Sequence, residues 1–173
     1  MALIKEVKGI FPVFGNNIFL AENATVVGDV KMGDNCSVWF QTVIRGDVNS
    51  IKIGNKVNIQ DGAVVHCTYK KASTKIGNNV SIGHNAIVHG CTINDNVLIG
   101  MGSILMDGVV IESNSIVAAG SVVLEGTIVE SGTIYAGVPA KKVKDLDEEK
   151  INRLISGISD NYVLYSSWFI DED

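Results

Sequence analysis

Aliphatic residues return every six positions along most of the chain, and this period predicts the fold. The pattern runs in phase through four stretches: Leu20, Val26, Met32, Val38, Ile44; Ile53, Ile59, Val65; Ile76, Ile82, Val88; and Ile93, Ile99, Leu105, Ile111, Val117, Val123, Val129. An amphipathic helix would need apolar returns at three and four residues, and a hairpin strand would alternate strictly between turns. A six-residue period of this length is instead typical of an all-β parallel solenoid.

In such a solenoid each hexad supplies one short strand and a corner, with its aliphatic residue pointing inward. Three hexads close one triangular coil, and equivalent strands of successive coils stack at about 4.7–4.9 Å. Side chains at the same hexad position therefore form columns on three flat faces. The sequence predicts which residues share a column, and this register is used below to place the polar residues.

The repeat ends near Tyr135–Ala140, which divides the chain into two parts. Residues 1–140 are expected to form the solenoid with an N-terminal lead-in, and residues 141–173 a linker and a C-terminal α-helix. Asp145 or Asp147 is placed to cap that helix. The apolar residues between Glu148 and Trp168 keep helical spacing: Ile151, Leu154, Ile155, Ile158 and Tyr162. Because a lone helix of this length is marginal in water, it is expected to pack on the solenoid or a neighbouring subunit.

Composition and charge narrow the class of protein. With 46% hydrophobic residues, 18 Gly and only 2 Pro among 173 residues, the chain suits one continuous core. Its net charge of −5 disfavours nucleic acid as a partner. No apolar run approaches the ~20 residues that a membrane helix needs, and the N-terminus lacks the pattern of a signal peptide. We therefore expect a cytoplasmic protein that does not contact membranes.

The chain has 3 histidines, His66, His84 and His89, and three imidazoles are a standard ligand set for a catalytic metal. His66 follows Val65 and His89 follows Val88, so both occupy the second position of equivalent hexads. They should stack one coil apart, although a loop at about 69–74 lies between them. His84 belongs to the preceding face, around a corner from His89.

Outward side chains on two faces of a convex prism diverge, so one chain is poorly suited to bring all three histidines to one metal. The difficulty disappears if a neighbouring subunit presents its second face, which carries His84, to this subunit's third face, which carries His66 and His89. Three such heterologous contacts close a ring with C3 symmetry. The register thus predicts a homotrimer, with the metal held by His66 and His89 of one subunit and His84 of the next.

The same register brings further side chains near the histidines: Arg45, Asp47, Asn58, Gln60, Asp61, Met101 and Met106. Arg45 shares the column of His66, and Asp61 lies directly beneath His84. Met101 and Met106 fall one coil above His84 and His89, where they could form an apolar wall, although methionine often serves only as filler. Arg45 and Asp47 alone would suggest an ordinary surface ion pair. Convergence on the three histidines favours a functional site.

Together these residues resemble the gamma-class carbonic anhydrase family, whose fold is a left-handed β-helix of hexapeptide repeats. The resemblance rests on Ile44–Asp47 (IRGD), Asn58–Gly62 (NIQDG), His66, Ile82–His89 (IGHNAIVH) and Ala136–Lys141 (AGVPAK). It covers nearly the whole chain. It implies reversible hydration of carbon dioxide to bicarbonate, with His66, His84 and His89 as ligands of Zn²⁺, or of Fe²⁺ or Co²⁺.

The resemblance also implies roles for the neighbouring side chains. Arg45 would hold bicarbonate and pair with acidic residues such as Asp47 and the neighbouring subunit's Asp61. Gln60 would hydrogen-bond the water on the metal, and Asn58 would orient Gln60. Tyr162 is a candidate for lining the pocket or for proton transfer, although its place on the apolar side of the helix also suits packing.

The sequence departs from the fully active members of the family in two segments. Those members carry an acidic loop whose glutamate moves protons to solvent, whereas residues 48–52 and 67–74 of this chain contain neither Asp nor Glu. The chain resembles a shorter branch of the family that lacks this loop and in which hydration activity varies, so the sequence supports metal binding better than rapid turnover.

Two other functions remain open at this point. Hexapeptide solenoids also act as CoA-dependent acyltransferases, with one histidine as general base at a subunit boundary. A metal-binding trimer without catalytic activity would use the same three histidines. Hydration of carbon dioxide is favoured because three histidines, an arginine and an amide converge.

Overall fold

The computed structural model describes residues 1–169 and shows a left-handed parallel β-solenoid of about seven coils with one C-terminal helical segment. The fold predicted from the six-residue period is therefore confirmed. The strands are β1 Leu3–Lys5, β2 Val13–Phe14, β3 Phe19–Leu20, β4 Thr25–Met32, β5 Ser37–Val38, β6 Val43–Ile53, β7 Asn58–Ile59, β8 Val64–His66, β9 Thr74–Ile76, β10 Val80–Ile82, β11 Ile87–His89, β12 Thr92–Ile93, β13 Val97–Ile99, β14 Ile104–Leu105, β15 Val110–Ile111, β16 Ser115–Val117, β17 Val122–Val123, β18 Ile128–Val129, β19 Thr133–Gly137 and β20 Ala140–Asp145.

Three faces arise from two sheets because the long strand β6 bends around a corner. Its C-terminal part begins the first face with β9, β12, β15 and β18, and its N-terminal part begins the third face with β8, β11, β14 and β17. The second face is the separate sheet that runs from β3 through β5, β7, β10, β13 and β16 to β19 and β20. All pairs between coils are parallel, so the columns of the sequence register are real columns in space.

The core is the stack of inward-pointing residues at the predicted positions. Ile59, Ile82 and Ile99 follow one another on the second face, and each is 0% exposed. The equivalent column on the third face is also fully buried, as Val65, Val88 and Leu105 show. Burial of each such side chain contributes about 1.5–3 kcal/mol. The core fixes the register of every outward side chain, because a slip of one residue would turn the aliphatic column outward.

The segment after the repeat differs from the prediction of a linker at its start. Ala140–Asp145 forms strand β20, which pairs antiparallel with β19 and closes the end of the second face. The lysines of this strand remain exposed, so the reversal at Pro139 allows the backbone to pair without burying charge.

A helical segment follows, as expected: α1 Glu148–Ile151, a π-helical stretch Asn152–Ser156 and α2 Gly157–Ser167. Asp147 accepts a hydrogen bond from the backbone N–H of Lys150 at 2.8 Å and so caps the first turn. Ile155 is fully buried, and Asp160 forms an ion pair with Lys56 of the solenoid. The helix therefore packs on the second face. Within residues 1–169, no helix has the length and hydropathy to cross a membrane.

Candidate metal centre

His66 and His89 lie side by side on the third face. They are register partners on β8 and β11, and Nδ1 of His66 is 3.1 Å from Nε2 of His89. Two nitrogens bound to one tetrahedral zinc ion at about 2.0–2.1 Å are separated by about 3.3 Å. The spacing of the two rings thus fits two ligands of one ion, and the stacking predicted from the hexad register is confirmed.

Each of the three histidines contacts a carboxylate through one of its ring nitrogens. In His66 and His89 this is the nitrogen that does not face the other histidine. Nε2 of His66 is 3.0 Å from Asp47, Nδ1 of His89 is 2.7 Å from an oxygen of Asp107, and Nδ1 of His84 is 2.8 Å from Asp61. The carboxylate partners are therefore Asp47 for His66, Asp107 for His89 and Asp61 for His84. Metal-ligating histidines almost always donate their second N–H to such an acceptor, which fixes the tautomer and raises the basicity of the ligating nitrogen. The three histidines therefore have the carboxylate partners that are usual for histidines that bind a metal.

His84 lies on the second face, two residues after Ile82, with which strand β10 ends. The pairing of Ile82 with Ile59 places Asp61 beneath it, as predicted. Across the described part of the chain, no three His, Cys, Asp or Glu side chains are arranged to hold a metal ion. A single subunit therefore supplies two adjacent nitrogens on one face and the third histidine on another.

A buried amide pair lies on the same face as His84. Gln60 is only 5% exposed, and its Nε2 donates to Oδ1 of Asn58 at 2.9 Å. Nδ2 of Asn58 in turn donates to Oγ of Ser81 at 2.7 Å. Because Ser81 fixes which end of the Asn58 amide faces Gln60, the Oε1 atom of Gln60 remains available as an acceptor.

Arg45 and His66 are joined through Asp47. Nη1 of Arg45 contacts one oxygen of Asp47 at 2.5 Å, and His66 contacts the other. Partial burial alone would raise the pKa of Asp47, but the hydrogen bonds from His66 and Arg45 outweigh it and hold that pKa below its usual value. Asp47 is therefore a carboxylate at neutral pH, and the Arg45 side chain remains 44% exposed beside the histidine pair.

Two cavities adjoin the histidines, and each has one of the predicted methionines in its wall. A cavity of about 400 Å³ next to His84 is lined by Gln60, Met101 and Tyr162, with aliphatic residues of the second face around them. A second cavity of about 350 Å³ next to His89 is lined by Met106 and Ile87. Both cavities are mainly apolar, so a small apolar molecule can approach either histidine.

Tyr162 reaches this region from the C-terminal helix. Its hydroxyl is 3.5 Å from Nε2 of His84, and burial together with the charge of Asp61 raises the pKa of Tyr162 to about 12. The phenol is therefore neutral at physiological pH. Its ring also packs edge-on against Trp39 at 5.3 Å, so the side chain both lines the cavity and anchors the helix.

An apolar stripe runs along the outside of the third face, next to the histidine pair. Register partners on successive strands form this outward column: Leu3, Thr25, Val43, Val64, Ile87, Ile104 and Val122. Ile87 is 38% exposed and Leu3 is 56% exposed. Contiguous apolar surface of this kind usually marks an interaction surface.

The sequence did not point to Asp107 or Ser81. Ser81 lies one coil above Asn58, a predicted site residue, and Asp107 lies one coil above Gly90, the residue that follows His89. The signal was present in the register, since each shares or adjoins the column of a predicted residue. Their contacts depend on how far a side chain reaches between coils, which the six-residue period does not specify.

Comparison with known protein sequences gives three results. The family model for the bacterial transferase hexapeptide (six repeats) matches residues 73–105 and 90–125. Protein YrdA of Escherichia coli is 38% identical over 98% of this chain and 95% of its own length. A probable carbonic anhydrase of Methanocaldococcus jannaschii is 48% identical over 82% of this chain and 89% of its own.

A solved structure agrees closely with the fold. The hexapeptide transferase family protein from Anaplasma phagocytophilum superposes with a TM-score of 0.91 and is 42% identical. The match covers 96% of this chain and 98% of that protein. The relationship therefore extends over the solenoid and the C-terminal helix alike.

Proposed function

Because this chain belongs to the hexapeptide-repeat family of the gamma carbonic anhydrases and YrdA, we propose that it catalyses the metal-dependent, reversible hydration of carbon dioxide to bicarbonate. One observation carries the proposal. His66 and His89 present two nitrogens 3.1 Å apart, and all three histidines of the chain are backed by carboxylates. A histidine set prepared in this way suits a catalytic metal better than a general base, which needs only one ring.

In this proposal the metal is Zn²⁺, or Fe²⁺ or Co²⁺, and it would be held by His66 and His89 of one subunit and by His84 of the partner subunit. Three protein ligands leave one position for water or substrate. When bound, a divalent metal supplies Lewis acidity, which lowers the pKa of a coordinated water to about 7. The remaining chemistry falls to side chains of the chain itself.

Gln60 would orient the oxygen nucleophile. Its Oε1 is free to accept a hydrogen bond because its Nε2 is engaged by Asn58, and Asn58 is itself held by Ser81. Buried and fixed in this way, the amide loses little conformational freedom when it holds the attacking oxygen towards the carbon of carbon dioxide.

Arg45 would attract the bicarbonate product. Its guanidinium is partly exposed beside His66, and Asp47 ties it to the histidine pair. The cavity beside His89, with Met106 in its wall, would admit carbon dioxide, which is apolar, and in the trimer so would the cavity beside the partner subunit's His84, with Met101 in its wall. Carbon dioxide would thus enter along the apolar part of the site, and Arg45 would attract the charged product at another part.

A homotrimer would complete this site. The apolar stripe beside His66 and His89 offers the surface for a partner subunit, and His84 lies on a different face, as a heterologous contact requires. A ring of three such contacts would create three equivalent metal sites.

Stopped-flow hydration of carbon dioxide tests the proposal with protein loaded with Zn²⁺ or, anaerobically, Fe²⁺. We expect activity that is lost in His84→Ala and retained in Lys75→Ala, an exposed control on the first face. Protein that is fully loaded with metal but does not hydrate carbon dioxide would contradict the proposed enzymatic activity. That result would favour a metal-binding trimer without catalytic activity. Turnover of acetyl-CoA in the same preparation would instead favour an acyltransferase.

A further inference from the structure

Asp107 holds His89 from the coil above. Its Oδ1 is 2.7 Å from Nδ1 of His89, and its Oδ2 accepts a hydrogen bond from Oγ1 of Thr68 at 2.6 Å. The side chain is only 13% exposed, although it belongs to an outward corner. Both carboxylate oxygens are therefore committed, one to the ring and one to a hydroxyl that comes from another part of the chain.

The space for this carboxylate exists because residue 90 is glycine. A Cβ added to Gly90 would lie 2.3 Å from Oδ1 of Asp107, closer than any real Cβ contact. Gly90 also has a φ of +56°, in the left-handed region that other residues rarely adopt. A side chain at this position would expel the carboxylate from His89, so Gly90 and Asp107 form one local arrangement.

The loop between the coils of His66 and His89 fastens the carboxylate. Thr68 and Ala72 form a bridge at the base of this loop, and the loop brings Lys71 to 3.6 Å from Oδ2 of Asp107. Lys71 also pairs with Glu125 at 2.7 Å, but its side chain is 57% exposed. Water and salt weaken exposed ion pairs. The short hydrogen bond from Thr68, which is partly buried, is therefore the stronger of the two constraints.

We propose that Asp107 is the positioning residue for His89, and that the inserted loop serves to hold Asp107 through Thr68. In this arrangement Nε2 of His89 is turned towards Nδ1 of His66. The inference rests on the proposed function only in taking His89 as a metal ligand. It assigns a task to a loop that carries no acidic residue.

Zinc affinity is the direct test, measured on the full-length chain by competition with a chromophoric chelator. Loss of a carboxylate behind a ligating histidine typically weakens metal binding by about 10–100-fold, and we expect a loss of this size in Asp107→Asn. Asp95→Asn is the matched control, because Asp95 also accepts a hydrogen bond one coil away, from the N–H of Asn78, and contacts no histidine. Zinc affinity equal to wild type in Asp107→Asn would overturn the proposal.

Thr68→Val removes the hydroxyl with little change of shape and gives a second, independent variant. It should weaken zinc binding by about threefold to tenfold, and combining it with Asp107→Asn should add nothing, because both act through one carboxylate. If Asp107→Asn does not fold, Thr68→Val decides alone, and unchanged affinity would overturn the proposal.

The visible spectrum of Co²⁺-loaded protein separates positioning from general destabilisation. A misplaced His89 should change the cobalt bands of Asp107→Asn at saturating metal, whereas a destabilised but correctly formed site would keep the wild-type spectrum and so contradict the proposal. Wild-type protein that binds none of Zn²⁺, Fe²⁺ and Co²⁺ would overturn the proposed function and this inference together. Wild-type protein that binds zinc without hydrating carbon dioxide would overturn the enzymatic function alone.

Discussion

The rings of His66 and His89 face each other across adjacent strands, with Nδ1 of His66 3.1 Å from Nε2 of His89. Each ring is held from behind, His66 by Asp47 and His89 by Asp107. The pair is therefore oriented by one chain alone. What it lacks is a third nitrogen, and the chain's other histidine lies around a corner.

The buried amide pair gives a prediction about catalysis. Asn58→Ala should lower the rate of hydration by about tenfold to a hundredfold, because Gln60 loses the partner that orients it and a hydrogen bond worth about 1–3 kcal/mol is left unmade. Zinc content should stay at the wild-type value, since Asn58 contacts no histidine. Stopped-flow rates and metal analysis on the same sample check both parts. An unchanged rate would remove Gln60 from the proposed mechanism.

The apolar stripe gives a prediction about assembly. Ile87→Glu places a charge on an outward, 38% exposed position next to the histidine pair, and it should shift the protein from trimer to monomer. Ile128→Glu is the control, because Ile128 is 58% exposed but lies on the first face. Sedimentation velocity distinguishes the two species. If Ile87→Glu assembles like wild type, the stripe is not the subunit interface.

The composition of two segments near the histidines gives a prediction about proton transfer. Because residues 48–52 and 67–74 offer no carboxylate to carry protons outward, release of the proton should depend on buffer in solution. The turnover number should therefore rise with imidazole concentration at constant ionic strength and pH. A rate that is independent of buffer would show that another group of the protein transfers the proton.

The core column gives a prediction about stability. Ile99→Ala should lower the free energy of unfolding by about 2–5 kcal/mol, because Ile99 is fully buried between Ile82 and Val117 and its neighbours cannot collapse into the space. Ile128→Ala, at an exposed position on the first face, should change it by less than about 0.5 kcal/mol. Urea unfolding of both variants provides the comparison. Equal losses would mean that the column does not carry the stability of the solenoid.

Most of the fold and part of the site geometry follow from the six-residue period of the aliphatic residues. Once Val65 and Val88 are assigned to equivalent hexads, the stacking of His66 on His89 follows from the register, and so does the position of Asp61 beneath His84. These contacts are predictable because parallel strands repeat at a fixed spacing and in a fixed register.

The contacts that escaped prediction depend on features without a period. Asp107 reaches His89 only because Gly90 has no side chain and because the inserted loop brings Thr68 to the same carboxylate. The strand Ala140–Asp145 forms because the chain reverses at Pro139, and its run of exposed lysines gave no alternation that would indicate pairing. How far a side chain reaches and where the backbone reverses depend on tertiary contacts, which the six-residue repeat does not specify.

Complementation between two inactive variants tests the central claim that each metal site is shared by two subunits. His84→Ala and His66→Ala should each bind no Zn²⁺ tightly on their own. In a trimer that contains both, one interface pairs His66 and His89 of the first variant with His84 of the second, and that interface is intact. Co-expressed, doubly tagged trimers should therefore regain one zinc ion each, together with the corresponding hydration activity. Mixed trimers that bind no more zinc than either variant alone would contradict the account.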